Sequence, residues 1–284
     1  MELAGFGAIT SVLVERRGEI VLEQYETGAA ETLRNTRSCT KTVLSLLVGI
    51  ANLPLETEVA PGIAAGDLLT MSSALDCDDW DDASPGNEEL MYPTADWAGF
   101  ALALPRREER TFSYCTAGVV LLGVELERRL GEPLTEFARR ELFAPLGIER
   151  FDWPRTPHGE TSCAGGLALR SRDLLALGRL VLPRTDGPVP RAWLDESTSP
   201  RVRIDERLEY GYLWWIGEFA GHRSVFMSGA GGSRVHVFPE LDTVVVITSE
   251  NFGRRDAHDL SSALVTRILS KDARPTLRRA LPDR

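Results

Sequence analysis

The sequence predicts an α+β fold, with one antiparallel sheet assembled from both ends of the chain and helices between them. Three observations carry this. Residues 8–15 and 19–26 alternate apolar and polar side chains around Arg16-Arg17-Gly18, which is the pattern of a β-hairpin. Strand-like segments return at 210–219, 223–227, 234–238 and 243–248, separated by the turn-forming stretches Gly221-His222, 229–232 and 239–242. The stretch between, residues 67–199, is mostly helical in period. Antiparallel neighbours joined by short turns imply a single sheet whose first strands come from the N-terminus.

The elements follow in order. After the hairpin, residues 38–51 are apolar along most of their length and free of proline, as in a buried helix. Helical periodicity recurs at 119–130, 134–142 and 172–182, with Pro and Gly punctuating between. Residues 256–269 form a last helix. An acidic cluster at 76–82 surrounds Trp80 and reads as a solvated loop. The sequence contains no internal repeat and no low-complexity linker. Its 284 residues, 43% of them hydrophobic, can bury a large core as one domain or as two interleaved lobes.

Composition narrows the partners. The formal net charge of −10 argues against nucleic acid, whose phosphates need a basic face, and against an anionic membrane surface. No apolar run approaches the roughly 18 residues of a membrane span. The first ten residues carry no basic region followed by a long apolar stretch, so a cytoplasmic location is expected. Cys39, Cys77, Cys115 and Cys163 lie scattered without CxxC spacing and need not form a disulfide framework. The four histidines show no ligand-like pairing, and no metal is expected. The only lysines are Lys41 and Lys271. Every other basic residue is arginine, so Lys41 stands where a side chain able to lose its proton has been kept; Lys271 falls in a polar tail.

Lys41 closes the first motif, Ser38-Cys39-Thr40-Lys41. Residues three apart share a helix face, so the Ser38 hydroxyl and the Lys41 amine can meet. A serine attacks an acyl carbon only with an adjacent base, and a lysine desolvated by the apolar helix behind it can serve. The tetrapeptide alone fits equally an N-cap serine with a solvated lysine. The second motif is Ser113-Tyr114-Cys115-Thr116 at the mouth of an apolar helix. There a phenol can relay a proton, or Tyr114 can be a core residue with a satisfied hydroxyl. The third is Ser228-Gly229-Ala230-Gly231-Gly232-Ser233 before a strand. Its glycines let backbone approach a ligand and offer an amide to an oxyanion, or simply make a tight turn.

Together these motifs resemble the serine β-lactamase-related and penicillin-binding-protein-like hydrolases, whose Ser-x-x-Lys, Ser-Asp-Asn and Lys-Thr-Gly elements come in this order. The likeness is to the class C-like esterase, peptidase and 6-aminohexanoate-dimer-hydrolase-like branches. It extends through Leu142-Phe143-Ala144-Pro145-Leu146-Gly147, Gly165-Gly166-Leu167, Tyr210-Gly211-Tyr212-Leu213-Trp214-Trp215 and Phe238-Pro239-Glu240-Leu241-Asp242. The resemblance implies a β-lactamase/transpeptidase-like fold. It would be a single domain over 1–284, with a sheet lobe of 1–66 and 200–284 and a helical lobe of 67–199. It implies Ser38 as acylated nucleophile, Lys41 as base and Tyr114 as proton shuttle. The amides of Ser38 and Gly232 would hold the oxyanion, with Thr116, Gly229 and Gly231 lining the substrate site. No cofactor is implied, and the partner is a small ester, amide or peptide.

Three departures from the pattern stand out. Thr116 replaces the usual Asn and has no NH₂ to donate. Gly229 replaces a common Lys or His. Residues 49–67 are short beside the nucleophile. The favoured function is hydrolysis through an acyl-enzyme. Acyl transfer by the same serine, or an inactive binding or sensor module, are the alternatives. With no charge at Gly229, uncharged esters and amides are expected to outrun penicillins, unless Arg234 reaches back to hold a carboxylate. Cys39 and Cys115 are expected to be buried packing residues.

Overall fold

Strand β1 (Ile9–Arg16) returns as β2 (Glu19–Tyr25) through Arg17 and Gly18. Both loop residues have positive φ, as a two-residue hairpin loop matched to strand twist requires. The computed structural model describes residues 1–271; the side chain of Lys271 lies outside that description. The main sheet has the order β2-β1-β12-β11-β10-β9-β8-β7, antiparallel throughout. Its chain-final strands are β7 (Val202–Arg203), β8 (Leu208–Tyr210), β9 (Trp215–Phe219), β10 (His222–Gly229), β11 (Ser233–Phe238) and β12 (Thr243–Ser249). The N-terminal hairpin docks on β12, so strands from both ends of the fold join in one open sheet with β2 and β7 at its edges, as the strand pattern implies.

Residues 210–219 do not form one strand. The path breaks between β8 and β9, where Leu213 takes a positive φ and Gly211 passes so near Ser197 that a Cβ would collide with its carbonyl oxygen. Alternating apolarity does not record such a kink. The same holds for two-residue pairings too short to show a period. These are β3 (Arg34–Asn35) with β6 (Ala168–Leu169), and β4 (Glu58–Ala60) with β5 (Ile63–Ala64) in the short stretch after the first helix.

Both faces of the sheet are covered, which is why β1, β11 and β12 are buried nearly end to end. On one face α9 (Ala257–Lys271) packs Leu264, Val265 and Ile268 against Val12, Val14, Phe238 and Ile247. On the other lie α1 (Cys39–Ile50), α7 (Ser171–Arg179) and α8 (Arg191–Ser197). Helix α7 lies so close that a Cβ on Gly178 would sit 2.7 Å from Val244. The helical region comprises α2 (Ala65–Leu69), α3 (Glu88–Met91), α4 (Trp97–Leu102), α5 (Thr116–Leu130) and α6 (Leu134–Ala138). The run read as a helix at 134–142 continues past α6 as a π-helical turn, Arg139–Phe143, before Pro145.

One reading of the cysteines is corrected. Cys115 is not a free packing residue: it forms a disulfide with Cys77, 38 positions away. Their separation in sequence hides that the acidic segment after Cys77 folds back onto the mouth of α5. Cys39 and Cys163 are free and buried. Among the described residues no helix is long and apolar enough to cross a membrane.

Candidate active site

Ser38 sits at the N-terminus of α1, and the backbone there is tightly built. Arg37 before it is held at φ 52°, a conformation costly for a residue with a side chain. Its amide donates to Asn35 Oδ1 at 2.9 Å, and its guanidinium lies 4.4 Å from the Phe252 ring centroid. The amides of Cys39, Thr40 and Lys41 donate to the Thr36, Arg37 and Ser38 carbonyls. The amide of Ser38 has no such partner among the described residues, leaving one first-turn donor of α1 open.

One turn further, Lys41 is 1% exposed. Its Nζ donates to Ser38 Oγ at 3.1 Å and to the carbonyl of Ala164. Ala164 leads into Gly165-Gly166-Leu167, and the glycines there have a spatial reason. A Cβ on Gly165 would stand 3.3 Å from the Arg37 backbone. Leu167 accepts the Thr36 amide and its side-chain hydroxyl.

Tyr114 faces the same point. Lys41 Nζ is 5.4 Å from its ring centroid. Burial raises its phenol above the ordinary value, opposed by the Lys41 charge and by a hydrogen bond with Ser38. Trp80 stacks parallel on it at 5.5 Å, and Trp215 lies 5.8 Å from it. Thr116 does not face the nucleophile. It is fully buried; its amide donates to Asp79 Oδ2 at 2.7 Å and its hydroxyl to Glu88 Oε2 at 2.8 Å.

Ser38 and Tyr114 open onto a cavity of about 710 Å³, which Asp79, Trp80, Glu88, Trp215 and Arg234 also line. Of the third motif, Ser228, Gly229 and Ala230 line it. Gly231 and Gly232 are not brought to that wall. Gly231 packs against Phe252, and Gly232 lies under α9, its carbonyl accepting from Ser261 Oγ at 2.6 Å. Gly229 is needed because β10 crosses the segment before Ser38, where a Cβ would collide with the Thr36 carbonyl oxygen.

The acidic cluster around Trp80 is solvated only in part: Trp80, Asp81 and Asp82 are exposed, while Cys77 is buried and Asp79 half-buried. The Cys77–Cys115 bridge and two helix N-termini fix it: Asp79 accepts the amides of Thr116 and of Glu88, the latter at 2.9 Å. Burial pushes the Asp79 carboxyl up to about 6; hydrogen bonding from Thr116 opposes this and the neighbouring Glu88 adds to it. Asp79, Trp80, Glu88 and Trp215 are site residues that sequence reasoning missed. The signal was the tryptophan inside a run of aspartates, uncommon for a loop that only meets water.

The chain thus combines an antiparallel sheet in which β1 pairs with β12 with a serine–lysine pair at the head of a buried helix. The sequence matches the Beta-lactamase family over residues 8–266. The protein belongs to that family. No curated protein matches it significantly. Among solved structures it is similar to an octameric penicillin-binding protein homologue from Pyrococcus abyssi, at 20% identity and TM-score 0.76, covering 92% of this chain and 73% of that one. It is also similar to a putative 6-aminohexanoate-dimer hydrolase from Bacillus anthracis, at 15% identity and TM-score 0.79, covering 95% and 81%. A class C β-lactamase from Rhodobacter sphaeroides matches at 15% identity and TM-score 0.69, covering 92% and 95%. The β-lactamase/transpeptidase-like fold expected from the motifs is the one observed.

Proposed function

We propose that the protein hydrolyses an ester or amide bond through an acyl-enzyme on Ser38. The observation that carries this is the 3.1 Å contact between Lys41 Nζ and Ser38 Oγ, made by an almost fully buried lysine behind a serine that lines the cavity. In its neutral form the amine accepts the Ser38 proton across that contact as Oγ bonds to the acyl carbon. The oxyanion so formed takes the free amide of Ser38, at the positive end of α1. A second amide comes from the Ser228–Ala230 wall. Tyr114, kept protonated by its burial, hands its proton to the leaving oxygen or nitrogen as that bond breaks, and regains one from the Lys41 ammonium. Water then attacks the ester of Ser38. Its proton returns through Lys41, the acid departs, and the serine hydroxyl is restored.

The test is labelling by a fluorophosphonate, with the adduct mapped by mass spectrometry, alongside turnover of p-nitrophenyl acetate. The adduct is expected on Ser38, and Ser38→Ala loses both labelling and turnover. A Ser38→Ala variant with wild-type turnover would refute the mechanism. Added alcohols or amines that divert product from acid to ester or amide would place the protein among acyltransferases.

A further inference from the structure

Tyr114 stands on a stretch outside regular structure. Helix α4 ends at Leu102 and α5 begins at Thr116. Between them the chain pairs at the isolated bridge of Leu75 with Arg106, so the backbone that carries the phenol depends on other ties.

One short segment supplies them, residue by residue. Ser113 Oγ donates to the Cys77 carbonyl at 2.6 Å. The Asp79 amide donates to the Tyr114 carbonyl at 2.8 Å. Cys115 is bonded to Cys77, and the Thr116 amide donates to Asp79 Oδ2. Residues 113–116 are thus each tied to Cys77 or Asp79. Met71 adds a contact from elsewhere, its carbonyl accepting the Ser113 amide at 2.9 Å. The segment is itself braced: the Asp78 amide donates to Ser84 Oγ at 2.8 Å, and Asn87 Nδ2 to the Asp81 carbonyl at 3.1 Å.

The next residue of the segment reaches the tyrosine ring. Trp80 lies within 2° of parallel to it, yet is 61% exposed. An indole so open to water adds little to the core. Trp80, Tyr114 and Trp215 form a triangle, with Trp80 6.1 Å from Trp215. Turning the Tyr114 ring away from Ser38 would break that stacking.

Resting on the acyl-enzyme reading above, we propose that Cys77, Asp79 and Trp80 form a clamp that positions Tyr114, holding its phenol where it hands a proton to the leaving group. Cys77 and Cys115 are not among the described residues that line the cavity. Their bond therefore acts on turnover through the segment it ties, not by touching substrate.

The experiment uses aryl acetates of increasingly poor leaving group: p-nitrophenyl, phenyl and p-methylphenyl. The first departs without a proton, and the others gain from one. In Tyr114→Phe, kcat/KM should fall more steeply along the series than in the wild type. Cys77→Ser with Cys115→Ser, and separately Trp80→Ala, should steepen it too, with a loss at the poor end greater by roughly tenfold, within the range that misplacing a catalytic group costs. Trp80→Phe keeps a stacked ring and should restore the wild-type slope. In the Tyr114→Phe background neither clamp change should steepen the series further. Thermal melts show which variants are folded; if the cysteine pair unfolds, Trp80→Ala carries the test. A folded clamp variant that loses the same factor on every ester has a structural role only and overturns the inference. So does further steepening in Tyr114→Phe. If Tyr114→Phe steepens the series and no clamp variant does, this inference fails and the acyl-enzyme reading stands. If Tyr114→Phe itself leaves the series unchanged, Tyr114 is not the proton donor, and that step of the reading falls together with the inference.

Discussion

Lys41 is the residue at which charge and proton transfer can be separated. Arg at this position keeps a cation but cannot lose its proton near neutrality. Lys41→Arg should therefore cost about 10²–10⁴ in kcat on p-nitrophenyl acetate, as loss of a general base does. A variant keeping half the wild-type rate would show that only charge matters there. Asp79 makes a prediction about stability. Its carboxyl is raised from 3.8 to about 6 in the fold, so the native state binds its proton more tightly than the unfolded chain does. That contribution is full below about pH 4 and is lost as pH rises through about 6. Unfolding free energies of wild type and Asp79→Asn, measured by denaturant titration between these limits, should diverge by about 1–3 kcal/mol against the wild type with rising pH. Parallel curves would mean that Asp79 is not shifted. That Ser38 and Lys41 meet was legible from their spacing on one helix face, whereas Tyr114 joined them only through the family resemblance, because its place at a helix mouth fits a core residue as well. Asp79, Glu88 and Arg234 were not legible as a group, because they meet only after three separate segments converge on one cavity.

At the scale of elements, the crossing of β10 over the segment before Ser38 leaves no room for a side chain at Gly229. Gly229→Ala should destabilise by about 1–3 kcal/mol, since the atom it strikes is backbone that cannot swing away. It should also slow turnover by displacing Ser38 from Lys41. An unchanged melting temperature and rate would contradict the close approach. The missing side chain in the third motif, read from sequence as a departure that bears on substrate, is thus first of all a packing requirement. The disulfide gives a second test. It closes a loop of 38 positions, and such links typically add about 2–4 kcal/mol. Reduction, or Cys77→Ser with Cys115→Ser, should lower the melting temperature and weaken the cavity wall that carries Asp79 and Trp80. Thiol titration of the native, unreduced protein should find no fast-reacting cysteine, with two appearing on unfolding and four after reduction. Cys39 should be slow for a further reason: burial pushes its thiol up to about 12, far from the reactive thiolate.

At the scale of the whole molecule, the strands at the two ends of the sequence were readable from their alternation, and so was their union in one sheet. The order of that sheet was beyond reach of a single sequence, because register is set by partners and not by any strand's own period. Its central fact is that β1 lies between β2 and β12, with Ile9 opposite Ser249. A ribosome delivers these partners far apart in time. At roughly 5–20 residues per second, β1 waits on the order of 10–50 s for β12 to emerge. Until then only its β2 edge is paired, and an apolar strand with a bare edge invites pairing with other chains. The last strand made is the one that removes this hazard. The nascent chain must therefore be shielded, or held in its helical parts, for most of its synthesis.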